Sequence, residues 1–303
     1  GLVGSEMCIR DSLVSEALHE RSVLMDMEPH LAQPLSFVMP IYRYWQVPFY
    51  GIGLKLYDLL AGKKALGQTK ILNRQDTLAA LPGVEEKGLI GGIQYWDGQF
   101  EDARFALSLA KQIQQLGGLP INYARVTHVR RNESASAARF SIEVRDAVDH
   151  QTWHVEADAL VNATGVWVDE LRNMLNPDQP SHLVAPSQGV HIVVGQEFLP
   201  TRHALLVPKT SDGRVLFAVP WLGSLVIGTT DTPRQDLPLH PKPFEDELTF
   251  LLTEASQALA RPIRRSDVKS VWVGLRPLVA LQDSQDTQTL SREHTIVKDS
   301  NAM

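Results

Sequence analysis

Two arginines near the end of the chain offer the clearest chemistry in the sequence. Arg276 follows an alternating apolar pattern that begins at Val271, and Arg292 comes after a polar loop. A guanidinium group presents forked donors that fit the oxygens of a phosphate or a carboxylate. The pair therefore predicts an oxyanion site at the end of a strand, and the alternative is two solvated surface arginines.

The stretch DALVNATGVW (158–167) is a second candidate site. It predicts a buried strand at 159–162 that runs into a small-residue turn and a helix. Backbone N–H groups at a helix start favour an anionic diphosphate, and Gly165 allows close approach of a ligand. The alternative is an ordinary strand-to-helix turn. The sequence contains no GxGxxG fingerprint of a dinucleotide fold.

Two further motifs, APSQGVHIVV and VIGTTDTP, end or interrupt apolar strands with polar residues. Gln188 and Gly189 have the composition of a polar turn, and His191 lies in the strand that follows. His191 is a candidate proton acceptor, and the alternative is a core histidine with its hydrogen bonds satisfied. Thr229 and Thr230 can hydrogen-bond a cofactor or substrate, or they can cap a turn.

Composition narrows the class of protein. The chain of 303 residues is 44% hydrophobic and 21% charged, which is typical of a globular protein, and its net charge of −6 argues against nucleic-acid binding. The single cysteine, Cys8, excludes an intrachain disulfide. We find no metal-ligand spacing and no apolar run long enough for a transmembrane helix. Residues 1–11 resemble translated linker and are predicted to be a non-native leader.

Hydrophobic periodicity predicts helices and strands in an order typical of an α/β protein. Predicted helices cover 12–28, 76–81, 101–116, 167–175 and 245–259. Predicted strands cover 89–100, 119–130, 138–148, 151–156, 183–194, 204–209, 214–220, 224–229 and 267–279. Turns are predicted at Asp97-Gly98 and at Gln188-Gly189.

Residues 35–61 combine many aromatic side chains with few charges, and Arg43 and Lys55 lie among them. Aromatic rings and cationic side chains both suit a membrane interface. The stretch therefore predicts a peripheral membrane contact, and the alternative is core packing between domains.

Eight motifs, taken in order, resemble one known family. They are LVSEALHER, YWDGQFEDAR, VNATGVW, SQGVHIVV, GRVLFAVPW, IGTTDTP, VGLRPLV and LSREHTI. The family is that of the FAD-dependent glycerol-3-phosphate dehydrogenases, which pass electrons to quinone. The resemblance extends from about Ser12 to about Asp299.

The resemblance implies an α/β (mixed α+β) fold with a glutathione-reductase-like FAD-binding domain and a mixed-sheet substrate domain. The implied FAD-binding domain covers 12–34 and 99–178, and the substrate domain with interdomain segments covers 35–98 and 179–275. Residues 276–303 would return towards the FAD domain. The GxGxxG and GGKxTTxR motifs of the family are not in these 303 residues. The FAD-binding domain is therefore expected to be incomplete, cut at both ends.

The resemblance also implies roles for individual residues. Arg276 and His191 would be catalytic, and Arg276 and Arg292 would bind the substrate phosphate. Cofactor-binding roles would fall to Asn162, Ala163, Thr164, Gly165 and Trp167 near the diphosphate, and to Gly189, Thr229 and Thr230 near the isoalloxazine ring.

The implied activity is oxidation of sn-glycerol 3-phosphate to dihydroxyacetone phosphate, with FAD as cofactor and quinone as electron acceptor. The expected location is cytoplasmic, at the inner face of a membrane, and a homodimer is left open. One alternative is a flavin enzyme of the same fold that acts on another 2-hydroxy acid or an amine. A second alternative is an inactive fragment that binds no FAD.

Overall fold

The computed structural model describes residues 11–62, 65–132, 139–280 and 295–298. Its helices are α1 (Asp11–Met27), α2 (Gln46–Ala61), α3 (Arg74–Ala80), α4 (Asp102–Gln115), α5 (Val168–Leu175) and α6 (Glu245–Ala258). Its strands are β1 (Ala32–Ile41), β2 (Lys70–Asn73), β3 (Gly91–Phe100), β4 (Ala124–Arg131), β5 (Phe140–Asp146), β6 (Thr152–Ala157), β7 (Val184–Gly195), β8 (Ala204–Val207), β9 (Leu216–Trp221), β10 (Ser224–Gly228), β11 (Thr232–Pro233) and β12 (Ser270–Val279). These elements confirm the mixed α/β class.

The chain divides into two compact units. The first comprises Gly1–Ser108, Gly189–Thr230 and Lys242–Val273, and the second comprises Leu109–Gln188, Asp231–Pro241 and Gly274–Met303. Residues 12–34 fall in the first unit, so the units divide the chain at other residues than the expected domains do. The assignment of an FAD-binding domain and a substrate domain to particular ranges stays a prediction.

A mixed sheet forms the centre of the first unit. Its strands follow the order β2-β3-β1-β8-β9-β10-β7. β1 and β8 are parallel, with Phe37 opposite Ala204. The other neighbouring pairs in this order are antiparallel. This arrangement confirms the predicted mixed sheet.

Apolar clusters lie on both faces of this sheet because side chains alternate along each strand. On β1, Val38 packs in the cluster that contains Leu251 of α6. Its neighbours Phe37 and Met39 pack in a second cluster with Leu54 of α2. Helices α6 and α2 therefore cover opposite faces, and each fully buried leucine or valine stabilises the fold by about 1.5–3 kcal/mol.

The second unit contains a smaller antiparallel sheet of order β4-β5-β6. Val129, Ile142 and Val144 from this sheet pack with Leu171 of α5. The predicted helix at 101–116 is present as α4, but none of its residues is buried. Leu109 and Ile113, which lie in the part of α4 that belongs to the second unit, are 42% and 49% exposed.

The turns predicted at Asp97-Gly98 and at Gln188-Gly189 are wrong. β3 continues through Asp97 and Gly98, which lie opposite Leu35 and Pro34 of β1. β7 likewise continues through Gln188, which lies opposite Thr232 of β11. Cross-strand pairing outweighs the local preference of these polar and glycine residues for turns.

None of the described helices has both the length and the hydropathy that a membrane crossing requires.

Candidate functional site

His191 lies on β7, on the face of the sheet away from the α6 cluster. Val190 and Ile192, its neighbours along the strand, are buried in that cluster. Alternation therefore turns the imidazole to the opposite face. His191 is half-buried there, and its ring centroid is 5.8 Å from that of Trp272. The histidine belongs to a strand of the core, but its side chain does not belong to the α6 cluster.

Gly228 lies directly across from His191 in the ladder of β10 and β7. A Cβ atom built on Gly228 would overlap the imidazole of His191. The glycine is required at this position because the histidine ring occupies the space of a side chain. The motif IGTTD thus begins with a residue that makes room for His191.

Thr230 holds the backbone beside His191. Its Oγ1 accepts a hydrogen bond from the backbone N–H of Val190 at 3.0 Å and donates one to Oε1 of Glu247 at 3.1 Å. Glu247 is itself buried, and its other oxygen accepts the backbone N–H of Phe244 at 2.8 Å. The hydroxyl of Thr230 is therefore engaged within the first unit.

The cofactor-binding roles predicted for Thr229, Thr230 and Gly189 stay predictions. Thr229 is half-buried, and its hydroxyl donates to the backbone oxygen of Thr230 at 3.2 Å. Gly189 is buried within β7. Glu247, which anchors Thr230, was not singled out from the sequence, because a glutamate in the first turn of a helix is ordinarily explained by the helix dipole.

In the second unit, Arg276 of β12 lies beside Asp231. Its Nη1 is 3.5 Å from Oδ1 of Asp231, and the side chains are 29% and 8% exposed, respectively. Ser187 of β7 donates a hydrogen bond to the same carboxylate oxygen. Arg276 therefore keeps part of its side chain accessible while one corner of the guanidinium lies against a buried carboxylate.

A second arginine, Arg234, contacts β7, the strand that contains Ser187. Arg234 donates to the side-chain oxygen of Gln188, a fully buried residue, and forms an ion pair with Asp236. Its backbone N–H also donates to the carbonyl of Pro186 at 2.9 Å. Asp236 has a lowered pKa because of its hydrogen bonds and ion pair with Arg234. The segment after Asp231 is thus fastened to β7 by both main-chain and side-chain contacts.

The turn at 162–167 differs in part from the expectation. Residues 159–162 form no strand, and Val161 is 87% exposed, so the predicted buried strand is wrong. A strand requires a hydrogen-bonded neighbour, and no described strand pairs with these residues. The predicted helix is present as α5.

Polar contacts within this turn use the side chain of Asn162. Its Nδ2 donates to the carbonyl of Val168 at 2.9 Å, and its Oδ1 accepts from the hydroxyl of Thr164 at 2.8 Å. Ala163 is exposed. The indole N–H of Trp167 donates to the carbonyl of Leu237 at 3.3 Å. The cofactor-binding roles of these residues stay predictions.

The backbone of this turn is open at Gly165. Gly165 has φ +61°, and a Cβ atom built there would meet nothing within 4 Å. Helix α5 begins without a side-chain cap. Asp169 and Glu170 lie in its first turn, however, and their negative charge opposes an anion at this helix end. Gly165 therefore leaves open space beside the backbone, and the residues at the start of α5 add no positive charge.

Asp169 has its own structural role. Burial raises the pKa of its carboxyl, but hydrogen bonds from Ser181, Val184 and Leu183 and the charge of Arg172 outweigh burial and lower it overall. The carboxylate accepts the hydroxyl of Ser181 and the backbone N–H groups of Leu183 and Val184. It thereby fastens α5 to the start of β7.

Arg292, the second predicted phosphate-binding residue, lies outside the described residues. No group of histidine, cysteine or acidic side chains within the described ranges has the geometry of a metal site. The structure thus brings His191, Thr229 and Thr230 together in the first unit. In the second, Arg276 lies beside Asp231, a residue of the IGTTD motif for which the sequence predicted no partner.

Comparison with known proteins shows which proteins this chain is similar to. The family described as FAD dependent oxidoreductase matches residues 4–295. The mitochondrial glycerol-3-phosphate dehydrogenase of Macaca fascicularis is 39% identical over 289 residues, which are 94% of this chain and 40% of that protein. The mitochondrial enzyme of Schizosaccharomyces pombe is 35% identical over 306 residues, covering 94% of this chain and 46% of that protein. The chain spans less than half the length of these relatives.

Solved structures agree on the fold. The glycerol-3-phosphate dehydrogenase of Bacillus halodurans, complexed with FAD, superposes with a TM-score of 0.70 at 29% identity and covers 86% of this chain and 47% of its own. The L-alpha-glycerophosphate oxidase of Mycoplasma pneumoniae, with FAD bound, gives a TM-score of 0.66 at 14% identity over 89% of this chain and 69% of its own. The second likeness supports the fold alone.

Proposed function

Since the chain belongs to the family of FAD-dependent oxidoreductases, we propose that the complete protein oxidises sn-glycerol 3-phosphate to dihydroxyacetone phosphate. The observation that carries the proposal is the 39% identity over 94% of the chain to a mitochondrial glycerol-3-phosphate dehydrogenase. Arg276 adds chemical support, because a partly accessible guanidinium suits a phosphorylated substrate better than a neutral one.

FAD, when bound, supplies the two-electron oxidising chemistry, and the protein supplies binding, orientation and charge. Arg276 donates hydrogen bonds to the substrate and stabilises negative charge as it develops on the C2 oxygen. Arg292 is the second residue proposed to bind the phosphate, because a guanidinium group can pair with two phosphate oxygens. His191 accepts the proton of the C2 hydroxyl on a ring nitrogen. The close packing of His191 against Gly228 restricts the motion of that ring.

A carboxylate substrate is the alternative, because the same guanidinium also pairs with carboxylates. We predict that the full-length protein turns over sn-glycerol 3-phosphate with a kcat/KM at least about a hundredfold above that for 2-hydroxyglutarate, since the site binds a phosphate dianion. Steady-state assays with a soluble quinone analogue measure both values. Activity on 2-hydroxyglutarate alone would contradict the proposal.

Electron transfer to quinone requires access to a membrane, and helix α2 offers a surface for it. Trp45, Phe49, Ile52 and Leu56 are 54%, 47%, 70% and 36% exposed. Phe49, Ile52 and Leu56 lie on one side of the helix by their spacing, and Trp45 directly precedes its first residue. Leu54 is buried in the core. Helix α2 therefore has a second apolar face, and its exposure to water is unfavourable.

The chemistry of this surface, which we call the α2 stripe (Trp45, Phe49, Ile52 and Leu56), fits a lipid interface. The rings of Trp45 and Phe49 contact each other, with centroids 5.8 Å apart. Arg43 and Lys55 are exposed beside the stripe. Aromatic rings suit the headgroup region, and cationic side chains are attracted to anionic lipids. We therefore propose that the peripheral contact expected from 35–61 is made by this stripe, at the inner face of the membrane.

We predict that Phe49→Glu combined with Ile52→Glu weakens binding of the full-length protein to vesicles of phosphatidylcholine and phosphatidylglycerol by about tenfold or more. The reason is that each substitution removes apolar area and adds a negative charge that anionic lipid repels. Co-sedimentation measures the effect. Val148→Glu is the matched control, because Val148 is 71% exposed and lies in a turn outside the α2 stripe. This variant should not weaken binding.

Two outcomes would contradict this placement of the membrane contact. One is unchanged vesicle binding in the double variant. The other is a change from dimer to monomer with vesicle binding retained, which would make the α2 stripe an interface between copies of the chain. Size-exclusion chromatography of the same samples distinguishes the second outcome.

A further inference from the structure

We propose that Asp231 is a positioning residue for substrate binding and acts through Arg276. The inference rests on the proposed function, in which Arg276 contacts the substrate. Oδ1 of Asp231 is 3.5 Å from Nη1 of Arg276. The side chain of Asp231 is 8% exposed and that of Arg276 is 29% exposed, so Asp231 is the more deeply buried of the two.

Asp231 is itself held in place. Ser187 is fully buried on β7 and donates its hydroxyl hydrogen bond to Oδ1 of Asp231. The two residues that follow Asp231 form β11, with Thr232 opposite Gln188 and Pro233 opposite Ser187. The carboxylate therefore sits on a backbone that the strand ladder fixes, with a buried hydroxyl as its second support.

This arrangement suits orientation of the arginine. An arginine side chain has many rotamers in solution, and part of this conformational entropy is lost each time it binds a substrate. A carboxylate at Nη1 restricts the guanidinium before the substrate arrives, so less of this entropy is lost on binding. A guanidinium also has more N–H donors than one carboxylate oxygen can accept, so contact with Asp231 is compatible with contact to substrate oxygens.

Asp231 does not suit direct contact with a phosphate. Its negative charge would repel a phosphate dianion, and it is more deeply buried than Arg276. The rival explanation is that Asp231 serves only to join β11 to β7 through Ser187. The two explanations differ in one measurable respect. Positioning requires that the effect of Asp231 on substrate binding depends on Arg276, and a purely structural role does not.

The test is a double-mutant cycle in the full-length holoenzyme, with Asp231→Asn, Arg276→Lys and the combination. Asparagine keeps the shape of the side chain and removes its charge. We expect Asp231→Asn to raise the KM for sn-glycerol 3-phosphate about tenfold, with a smaller effect on kcat. In the Arg276→Lys background we expect less than about a twofold further rise, because lysine lacks the guanidinium that Asp231 orients.

Two additional variants keep the test interpretable. Ser187→Ala removes the support of Asp231 with a smaller change, and we expect a rise in KM of about threefold. Asp212 is 29% exposed and pairs with Arg214 at 2.7 Å. Asp212→Asn therefore removes a carboxylate from a different arginine, and we expect an unchanged KM. A titration with inorganic phosphate, monitored through the change in flavin absorbance, measures anion binding without turnover. The affinity for phosphate should fall in the same variants in which KM rises.

An unchanged or lower KM in Asp231→Asn would overturn the proposal. Equal effects of Asp231→Asn in the parent enzyme and in the Arg276→Lys variant would overturn it as well. If Asp231→Asn fails to retain flavin, the Ser187→Ala result decides in the same way. Failure of the proposed function has a different appearance, because the unsubstituted holoenzyme would then not oxidise sn-glycerol 3-phosphate.

Discussion

Replacement of Arg276 by alanine in the full-length protein is expected to lower kcat/KM for sn-glycerol 3-phosphate by about a hundredfold to a thousandfold. Removal of one preorganised donor to a developing oxyanion has an effect of this size in other enzymes. Arg276 is 29% exposed and lies against Asp231, so its truncation also leaves a buried carboxylate without its positive neighbour. Both consequences act in the same direction.

Two controls make this result specific to Arg276. Arg276→Lys keeps the charge but not the planar fork, and we expect an intermediate loss of about tenfold. Arg104→Ala removes an arginine that is 65% exposed, and we expect kcat/KM to stay within about twofold of the original value. All variants should retain the flavin absorbance of the parent. A kcat/KM in Arg276→Ala that equals that of Arg104→Ala would remove Arg276 from the site.

The chain of 303 residues, expressed by itself, is expected to bind no FAD and to aggregate. In the second unit, Ile113, Leu116 and Val161 are 49%, 82% and 87% exposed. Apolar surface of this extent ordinarily marks a face that another segment covers. The sequence also has no GxGxxG turn, which supplies the tight turn and close backbone approach to the diphosphate in dinucleotide folds.

Purification followed by incubation with FAD and desalting tests this expectation, with the full-length protein as the flavin-binding control. A soluble, yellow product with a flavin absorbance band would contradict it. A variant of the chain with Leu116→Lys and Val161→Lys should be more soluble, because two exposed apolar residues are replaced by charges. We expect this variant to remain colourless, since solubility does not supply the diphosphate-binding turn.

Strong periodicity made much of the fold predictable. β7, β9 and β10 have long apolar patterns that end at glycine or proline, and α6 has a continuous apolar face. Helix α4 was predicted for the same reason, but none of its apolar side chains is buried in the structure. Periodicity reports which residues can be buried, and burial itself depends on a partner that lies elsewhere in sequence.

The wrong predictions share this dependence on distant partners. Gln188 and Gly189 have turn composition but lie within β7, where pairing with β11 fixes them. Residues 159–162 have strand composition, but no described strand pairs with them. The contacts of Asp231 with Ser187 and Arg276 join residues 44 and 45 positions apart. A local sequence pattern does not show which distant residues will meet in the fold. The motif therefore identified Asp231 as a polar residue but did not predict its contacts with Ser187 and Arg276.

We propose that this chain is part of an enzyme that oxidises sn-glycerol 3-phosphate with FAD. Anaerobic mixing of the full-length holoenzyme with sn-glycerol 3-phosphate tests it most directly, because it isolates the half-reaction from the electron acceptor. We predict loss of the oxidised flavin absorbance band with formation of one dihydroxyacetone phosphate per flavin. A flavin that stays oxidised with sn-glycerol 3-phosphate but is reduced by a 2-hydroxy acid or an amine would contradict the claim.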